Sequence, residues 1–147
     1  MKIDRHGQAK ILTPEEIQLL FSEGLVTPRD RALFGICLYG ATRIREACSL
    51  RTEDVFNRKG KPRTDLIIRK QNTKGKLATR TLPIIEELRS LLVTYYPQPR
   101  TWFLFPGRHG KGHIHPDSAA RILKAACNKF DIEGVSTHSF RRTALTQ

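Results

Sequence analysis

Apolar residues recur at the three- and four-residue spacing of a helix in six segments of the chain. Thr13 and Thr27 each precede a proline, an arrangement typical of a helix start because the threonine hydroxyl can cap the first turn. Gly24 can end the first helix, and Asp117 is the predicted cap of the fifth. The predicted helices run from about 13 to 24, 27 to 38, 43 to 50, 84 to 95, 117 to 130 and from 138 onward.

The pattern changes between the third and fourth predicted helices. Leu66–Arg69 is a short apolar run of β-branched character, and Thr79–Pro83 alternates between polar and apolar residues as a returning strand would. Glycine-containing turns are predicted at Arg58–Lys61 and at Asn72–Ala78. These features predict a small antiparallel sheet with basic residues at its tips. Later in the chain, Trp102–Pro106 is predicted to be a short buried segment.

The net charge of the chain indicates which class of binding partner to consider first. The 147 residues include 26 Lys and Arg against 14 Asp and Glu, a net charge of +12. Positions 57–80 alone hold nine basic residues and one acid, so this stretch carries +8 of the total. A chain this basic makes nucleic acid the first partner to consider and a membrane surface the second. No apolar run reaches the roughly 18 residues of a transmembrane helix, so we expect no membrane span.

Cysteine and histidine positions do not indicate a disulfide framework or a metal site. Three widely spaced cysteines, Cys37, Cys48 and Cys127, are typical of small buried apolar residues in a reducing compartment. Histidines cluster in one glycine-rich loop, but no cysteine or acid stands at ligand spacing from them, so a closed zinc site is not expected.

Two segments contain residues suited to phosphate chemistry. Arg43 follows a glycine-containing break directly after an apolar helix. His138 and Arg141 are three residues apart and would share one face of a helix. Two guanidinium groups could bind the non-bridging oxygens of a phosphodiester while an imidazole moves a proton and a lysine of the hairpin donates one.

In these motifs the sequence resembles the catalytic domain of the tyrosine recombinases, also called the phage integrase family. The family's first motif is matched by Arg43, Ile44, Glu46, Leu50 and Asp54, with Gly40-Ala41 where Thr-Gly is usual. Its second motif is matched by His138, Arg141, Arg142 and Thr143. Its lysine-bearing hairpin and the strand that follows are matched by Thr73-Lys74-Gly75-Lys76 and Arg80-Thr81-Leu82-Pro83.

The resemblance implies a role for each matched residue. Arg43 and Arg141 would bind the scissile phosphate, and His138 would assist as general base. Lys74 would be the general acid for the departing 5′ oxygen, with Lys76 as the alternative. Glu46 would hold an arginine or the helix start in place. No metal and no cofactor are implied. Further DNA contacts are expected from basic residues, namely Arg58, Lys59, Lys61, Lys70, Lys76 and Arg142.

For the fold, the resemblance implies an α+β catalytic domain, mostly helical with a three-stranded antiparallel sheet. We expect one domain over 1–147 that is incomplete at its C-terminus, with no N-terminal DNA-clamping domain. The family's nucleophilic tyrosine lies downstream of the second motif, and the tyrosines present, Tyr39, Tyr95 and Tyr96, do not occupy that place. The chain is therefore expected to bind DNA without cleaving it.

The expected function is site-specific DNA recombination through a 3′-phosphotyrosyl intermediate. The expected partner is double-stranded DNA, with a homo-oligomer in the full-length protein and a cytoplasmic, nucleoid-associated location in a bacterium or phage. Two alternatives stay open at this point. One is a non-catalytic DNA-binding module or a degenerate recombinase, and the other is a basic RNA-binding protein.

Overall fold

The computed structural model describes residues 9–73, 75, 78–96 and 101–146. Within these ranges the α-helices are α1 (Pro14–Leu19), α2 (Pro28–Tyr39), α3 (Ile44–Cys48), α4 (Thr52–Val55), α5 (Glu86–Tyr95), α6 (Pro116–Asn128) and α7 (Ser139–Leu145). The strands are β1 (Asp65–Ile68) and β2 (Arg80–Pro83). A π-helical turn, Leu20–Gly24, continues α1, and short 3-10 turns cover Lys70–Asn72 and Arg108–Gly110. The structure is thus mostly helical with a small antiparallel sheet, as the sequence predicts.

Side-chain caps start most of the longer helices. The Thr13 hydroxyl accepts a hydrogen bond from the Glu16 backbone N–H, and Glu16 accepts one from the Thr13 N–H in return. The Thr27 hydroxyl caps α2 by accepting a hydrogen bond from the Asp30 N–H. The prediction that Asp117 caps α6 is wrong, because His115 Nδ1 accepts the hydrogen bond from the Asp117 N–H and the cap lies two residues earlier than expected.

The core is built around α2, which is buried along most of its length. Phe140 of α7 packs on Phe34 of α2, with ring centroids 5.1 Å apart. On another side α5 approaches closely at Gly35, where an added Cβ would lie 2.5 Å from Leu91 Cδ1. The ring contact places the beginning of α7 beside the middle of α2, although Phe34 and Phe140 lie about a hundred residues apart in the chain.

The sheet pairs β1 with β2 in antiparallel register, from Asp65 opposite Pro83 to Ile68 opposite Arg80. The prediction of three strands is met only in part, because the described residues form two. Before β1 a single antiparallel bridge joins Phe56 to Pro62, and the residues preceding this bridge form α4, where no helix was predicted. Its helical turn is favoured because Asp54 Oδ2 accepts a hydrogen bond from the Arg51 N–H, 3.0 Å away.

Burial was predicted for the three cysteines and for Trp102, with different outcomes. Cys37, Cys48 and Cys127 are buried and unpaired, as expected. Trp102 was expected in the core but is 61% exposed, and this prediction is wrong. The Arg51 guanidinium lies 4.8 Å from the centre of the indole ring, and the backbone of Trp102 pairs with Thr52 while its side chain faces outward. In the part of the chain described, none of the helices combines the length and apolar character needed to cross a membrane.

Candidate phosphate-binding site

Arg43 stands at the first turn of α3, immediately after the short connection from α2. Its extended backbone begins the helix, and its N–H donates to Glu46 Oε1 at 2.9 Å. The side chain is half-buried, and within the described residues no hydrogen bond or ion pair engages its guanidinium. Its N–H groups can therefore bind an anion placed at this end of α3.

Glu46 joins the start of α3 to strand β2. Its carboxylate is buried, with a side chain 1% exposed, and accepts from Arg80 Nη1 at 2.7 Å and from Arg80 Nη2 at 2.9 Å. Burial alone would raise the pKa of Glu46. The hydrogen bonds from Arg80 and the Arg43 backbone, with the positive charges of both arginines, hold that pKa below its ordinary value. Glu46 is therefore a buried carboxylate that stays charged because it is paired.

Arg141 reaches the same place from α7. Its Nε donates to the carbonyl oxygen of Ala41 at 3.1 Å, two residues before Arg43. Ala41 has a φ of 53°, in the left-handed region that favours glycine, and this backbone turn directs its carbonyl toward α7. The two arginines predicted to bind one phosphate, which are far apart in the sequence, thus meet at one turn of the backbone.

A network of hydroxyl groups holds the start of α7. Ser139 Oγ accepts from the Ser136 N–H at 3.0 Å, and Ser136 Oγ accepts from the His138 N–H at 3.2 Å. Thr143 Oγ1 accepts from the Leu12 N–H and donates to the Ser139 carbonyl, so that it ties α7 to the beginning of the described chain. His138 is exposed at the first turn of this anchored helix, on the same face as Arg141.

The other predicted DNA-binding residues fall in different places. Lys70 is exposed at the end of β1, where its backbone N–H donates to Thr79 Oγ1. Lys74 and Lys76 lie outside the described residues. Arg142 is half-buried, and its Nε is buried without a hydrogen-bond partner. The remaining three residues, Arg58, Lys59 and Lys61, lie on or beside the turn at the opposite end of the sheet from Arg80.

Two arginines of the sheet have partners that sequence reasoning did not assign. Arg80 was recognised only as part of a strand motif, and its pairing with Glu46 depends on the strand lying against α3. Arg69 donates from Nε to the buried Asp54 and from Nη2 to Glu53, both at 2.9 Å. The hydrogen bond that Arg69 donates to Asp54, with the charges of both carboxylates, raises the pKa of Arg69 against the opposing effect of burial. The acidic residues Glu46 and Asp54 of the first motif were the only feature of the sequence that could have indicated carboxylate partners for these two arginines.

Positive charge at this site comes from side chains. Among the described residues there is no group of three or more His, Cys, Asp and Glu side chains arranged to hold a metal ion. The guanidinium groups of Arg43 and Arg141 are suited to binding an anion near the turn before α3, and His138 is exposed at the start of α7.

Comparison with protein-family models matches residues 10–147 to the phage integrase family. No curated protein sequence matches the chain. Among solved structures, the chain is similar to XerA recombinase at 20% identity with a TM-score of 0.76. It is similar to an integrase from mycobacterium phage Brujita at 20% identity with a TM-score of 0.73. It is also similar to the Tn1549 transposon integrase, solved in complex with transposon right end DNA, at 16% identity with a TM-score of 0.71.

These structural matches extend over nearly all of this chain but only part of the other proteins. They cover 99% of this chain and 51% of XerA recombinase, 99% and 45% for the Brujita integrase, and 97% and 54% for the Tn1549 integrase. The chain therefore spans about half the length of the solved structures it resembles, and at these identities the likeness shows the fold.

Proposed function

The chain belongs to the phage integrase family, and we propose that it contributes the phosphate-binding part of the active site of a site-specific DNA recombinase. The observation that carries the proposal is the hydrogen bond from Arg141 to Ala41, which brings the second arginine to the start of α3 beside the first. Double-stranded DNA is the proposed substrate, and the reaction is strand cleavage and rejoining through a 3′-phosphotyrosyl intermediate.

In the proposed mechanism Arg43 and Arg141 donate hydrogen bonds to the non-bridging oxygens of the scissile phosphodiester. They stabilise the added negative charge of its pentacoordinate transition state. Each arginine has N–H groups that no described residue engages, because Arg43 uses only its backbone and Arg141 donates to Ala41 through Nε. Glu46 keeps the start of α3 in place and so positions Arg43 without contacting the DNA.

Proton transfer is assigned to His138 and a hairpin lysine. His138 is exposed one helical turn from Arg141 and would accept the proton of the attacking hydroxyl as general base. Lys74, with Lys76 as the alternative, would protonate the departing 5′ oxygen. Both lysines belong to the connection between β1 and β2, whose two ends are held by the paired strands and by the contact of Lys70 with Thr79.

We further propose that these 147 residues bind DNA without forming a covalent link to it. Tyr95 donates its hydroxyl proton to the Leu104 carbonyl at 2.6 Å and stacks on Phe105, so it belongs to the core. Tyr96 packs edge-on against Phe56. Burial raises the pKa of Tyr39, with a smaller effect from the charge of Glu87, and both make it a poorer nucleophile.

Three finer expectations, on assembly, location and the third strand, stay proposals. The full-length protein would assemble as a homo-oligomer on DNA in the cytoplasm, in association with the nucleoid. The bridge between Phe56 and Pro62 would be extended into a third strand of the sheet in the DNA complex. Chemical cross-linking of the full-length protein with and without DNA tests the assembly.

Binding of labelled duplex DNA tests the phosphate site. We expect Arg43→Gln and Arg141→Gln each to weaken binding about tenfold or more, because a hydrogen bond to a charged group contributes about 1.5–3 kcal/mol. The matched control is the double variant Arg29→Gln with Arg31→Gln, which lies near the N-terminal end of α2, about 12–15 Å of helix from Tyr39. Equal losses in the control and in the site variants would contradict the proposal, as would preference for structured RNA over duplex DNA in competition.

Covalent chemistry is tested separately with a suicide-nicked DNA substrate and a denaturing gel. The 147-residue chain is expected to leave the DNA free of protein under denaturing conditions. A covalent protein–DNA adduct would show that one of Tyr39, Tyr95 and Tyr96 is reactive and would overturn the assignment.

A further inference from the structure

Each end of the connection between β1 and β2 carries an arginine that is paired with a buried carboxylate. Arg80, at the start of β2, pairs with Glu46 of α3, and Arg69, directly after β1, pairs with Asp54 of α4. Both carboxylate side chains are only 1% exposed. The connection is therefore held at both of its ends, whereas the proposed mechanism gives a role to Glu46 and none to Asp54.

Asp54 binds a different group with each of its carboxylate oxygens. Oδ2 accepts a hydrogen bond from the Arg51 N–H at 3.0 Å and so caps α4. Oδ1 accepts from Arg69 Nε at 2.9 Å, and Arg69 Nη2 lies 2.7 Å from the same oxygen. Nη2 also donates to Glu53 at 2.9 Å. The Arg69 guanidinium is thus fixed to α4 by charge-assisted hydrogen bonds.

Further hydrogen bonds hold the backbone that follows Arg69. Lys70–Asn72 forms a 3-10 turn, and the Lys70 carbonyl accepts from the Thr73 N–H at 3.1 Å and from Thr73 Oγ1 at 2.7 Å. Thr73 itself is buried. The Lys70 N–H donates to Thr79 Oγ1 at the other end of the connection, 3.1 Å away. The position of Arg69 therefore sets the direction in which the chain leaves β1, as far as Thr73.

This end of the sheet lies beside the phosphate-binding site. Ile68 is opposite Arg80 in the strand register, so Arg69 is the next residue beyond that pair. The Glu46 carboxylate that binds Arg80 also accepts a hydrogen bond from the Arg43 N–H at 2.9 Å. The connection therefore leaves the sheet at the end where Arg43 begins α3.

We infer that Asp54 is a positioning residue that, by holding Arg69, directs the basic residues of the connection toward the DNA bound at Arg43. These basic residues are Lys70, which is exposed, and Lys74 and Lys76, which lie outside the described residues. The inference rests on the proposed function, because the connection supplies the proposed general acid for the same DNA. Asp54 is negatively charged, so charge alone predicts that it weakens binding to DNA, whereas positioning predicts that it strengthens binding.

Two substitutions of opposite charge separate positioning from net charge. Asp54→Asn raises the net charge of the chain by one, and Arg69→Gln lowers it by one. Asparagine has a single acceptor oxygen, so it can satisfy the Arg51 N–H or Arg69 but not both. The matched control is Asp30→Asn, which removes the carboxylate of another largely buried ion pair, with Arg29 near the N-terminal end of α2.

Asp54→Asn and Arg69→Gln are each expected to weaken binding to a labelled 20-base-pair duplex about fivefold, a usual size for coupling within an ion-pair network. In Asp54→Asn the slope of log K against log salt should also decrease in magnitude by about 0.9, as for the loss of one phosphate contact. Arg69→Lys keeps the charge and a donor for Asp54, and it should recover part of the affinity lost in Arg69→Gln. Asp30→Asn should bind within about twofold of wild type.

A second background shows whether the effect is exerted through the connection. The triple variant Lys70→Gln, Lys74→Gln and Lys76→Gln lacks the basic residues that Asp54 is proposed to direct. Adding Asp54→Asn to it should leave the remaining affinity unchanged within about twofold, whereas a merely structural loss would weaken both backgrounds by the same factor. Circular dichroism at the temperature of the binding measurement shows that each variant is folded. If Asp54→Asn is not folded, Arg69→Gln, whose native side chain is partly exposed, provides the same comparison.

The inference is wrong if Asp54→Asn binds DNA as tightly as Asp30→Asn does, or if it loses affinity equally in both backgrounds. It is also wrong if the triple lysine variant binds as wild type does, because the connection then does not contact DNA. Arg43→Gln is measured alongside. If Arg43→Gln is weakened as proposed and Asp54→Asn is not, the inference alone fails. If wild type binds no duplex DNA, the proposed function fails and the inference fails with it.

Discussion

Arg80 is the partner on which the buried charge of Glu46 depends, and its removal gives a sharp test of the site's architecture. The variant Arg80→Ala deletes both side-chain hydrogen bonds to Glu46, at 2.7 and 2.9 Å, and leaves the carboxylate buried. The Arg43 N–H remains as its one hydrogen-bond donor from the backbone. We expect the folded state to be strongly destabilised at neutral pH.

The size of the expected loss in the free energy of unfolding follows from these contacts. Breaking a buried ion pair by removing one partner costs about 3–5 kcal/mol, because an uncompensated charge stays in the interior. The Arg80 side chain is 36% exposed, so solvent already screens part of this interaction, and water can reach the space that it leaves. We therefore expect about 2–3 kcal/mol, which lowers the melting temperature by roughly 5–10 °C in a domain of this size.

The loss should depend on pH in a defined direction. Glu46 has a lowered pKa in the folded protein, so its pairing stabilises the fold above the carboxyl's unfolded pKa, and this contribution is lost as pH falls. In Arg80→Ala the folded protein instead gains by protonating Glu46. The difference in the free energy of unfolding between Arg80→Ala and wild type should therefore be largest near pH 7 and decrease as pH falls toward about 4.

Urea unfolding of both proteins at pH 7 and at lower pH measures the difference directly. Arg89→Ala is the matched control, because Arg89 donates to the Pro62 and Arg63 carbonyls and, among the described residues, to no carboxylate, so the loss should not depend on pH in this range. Adding Glu46→Gln to Arg80→Ala should recover part of the lost stability, because the buried charge is then absent. A loss below about 0.5 kcal/mol, or one independent of pH, would refute the reasoning.

Three further predictions concern other residues. Ala41→Gly should raise the free energy of unfolding by about 0.5–1 kcal/mol in urea, since the position has a φ of 53°, and a loss of stability would contradict this. Cys37, Cys48 and Cys127 should resist a thiol reagent at pH 8 until the protein unfolds, because burial raises their pKa values to about 12, 12 and 11, respectively. Rapid reaction of the native protein would contradict this prediction. Trp102, the single tryptophan, should emit as an exposed indole and be quenched readily by acrylamide, and a blue-shifted, protected emission would show that it is buried.

Local sequence was sufficient for most of the secondary structure. The Thr-Pro starts of α1 and α2 and the alternation in β2 each depend on neighbours a few residues away, and the structure has these elements where they were predicted. Two features were wrong for different reasons. Trp102 is exposed where long-range contacts with Thr52 and Arg51 hold its backbone and ring, whereas the cap of α6 is a local hydrogen bond from the Asp117 N–H to His115 that was assigned to the wrong residue.

The residue types at the candidate site could also be read from the sequence. Arg43, Glu46, His138 and Arg141 were identified by their motifs, and the catalytic roles assigned to them stay predictions. What the motifs could not show is how Glu46 is held. Its partner Arg80 lies 34 residues away, and only the packing of β2 against the start of α3 creates the pair.

The sequence by itself determined the helical pattern, the basic charge and the identity of the residues suited to binding phosphate, because each depends on short-range spacing or on composition. Only the tertiary structure decided that Arg141 meets the turn before Arg43, through a hydrogen bond that spans 100 residues. It also paired Glu46 with Arg80, which lies 34 residues further along the chain. Spacing along the chain cannot predict either result, because antiparallel pairing and helix packing set which distant residues become neighbours.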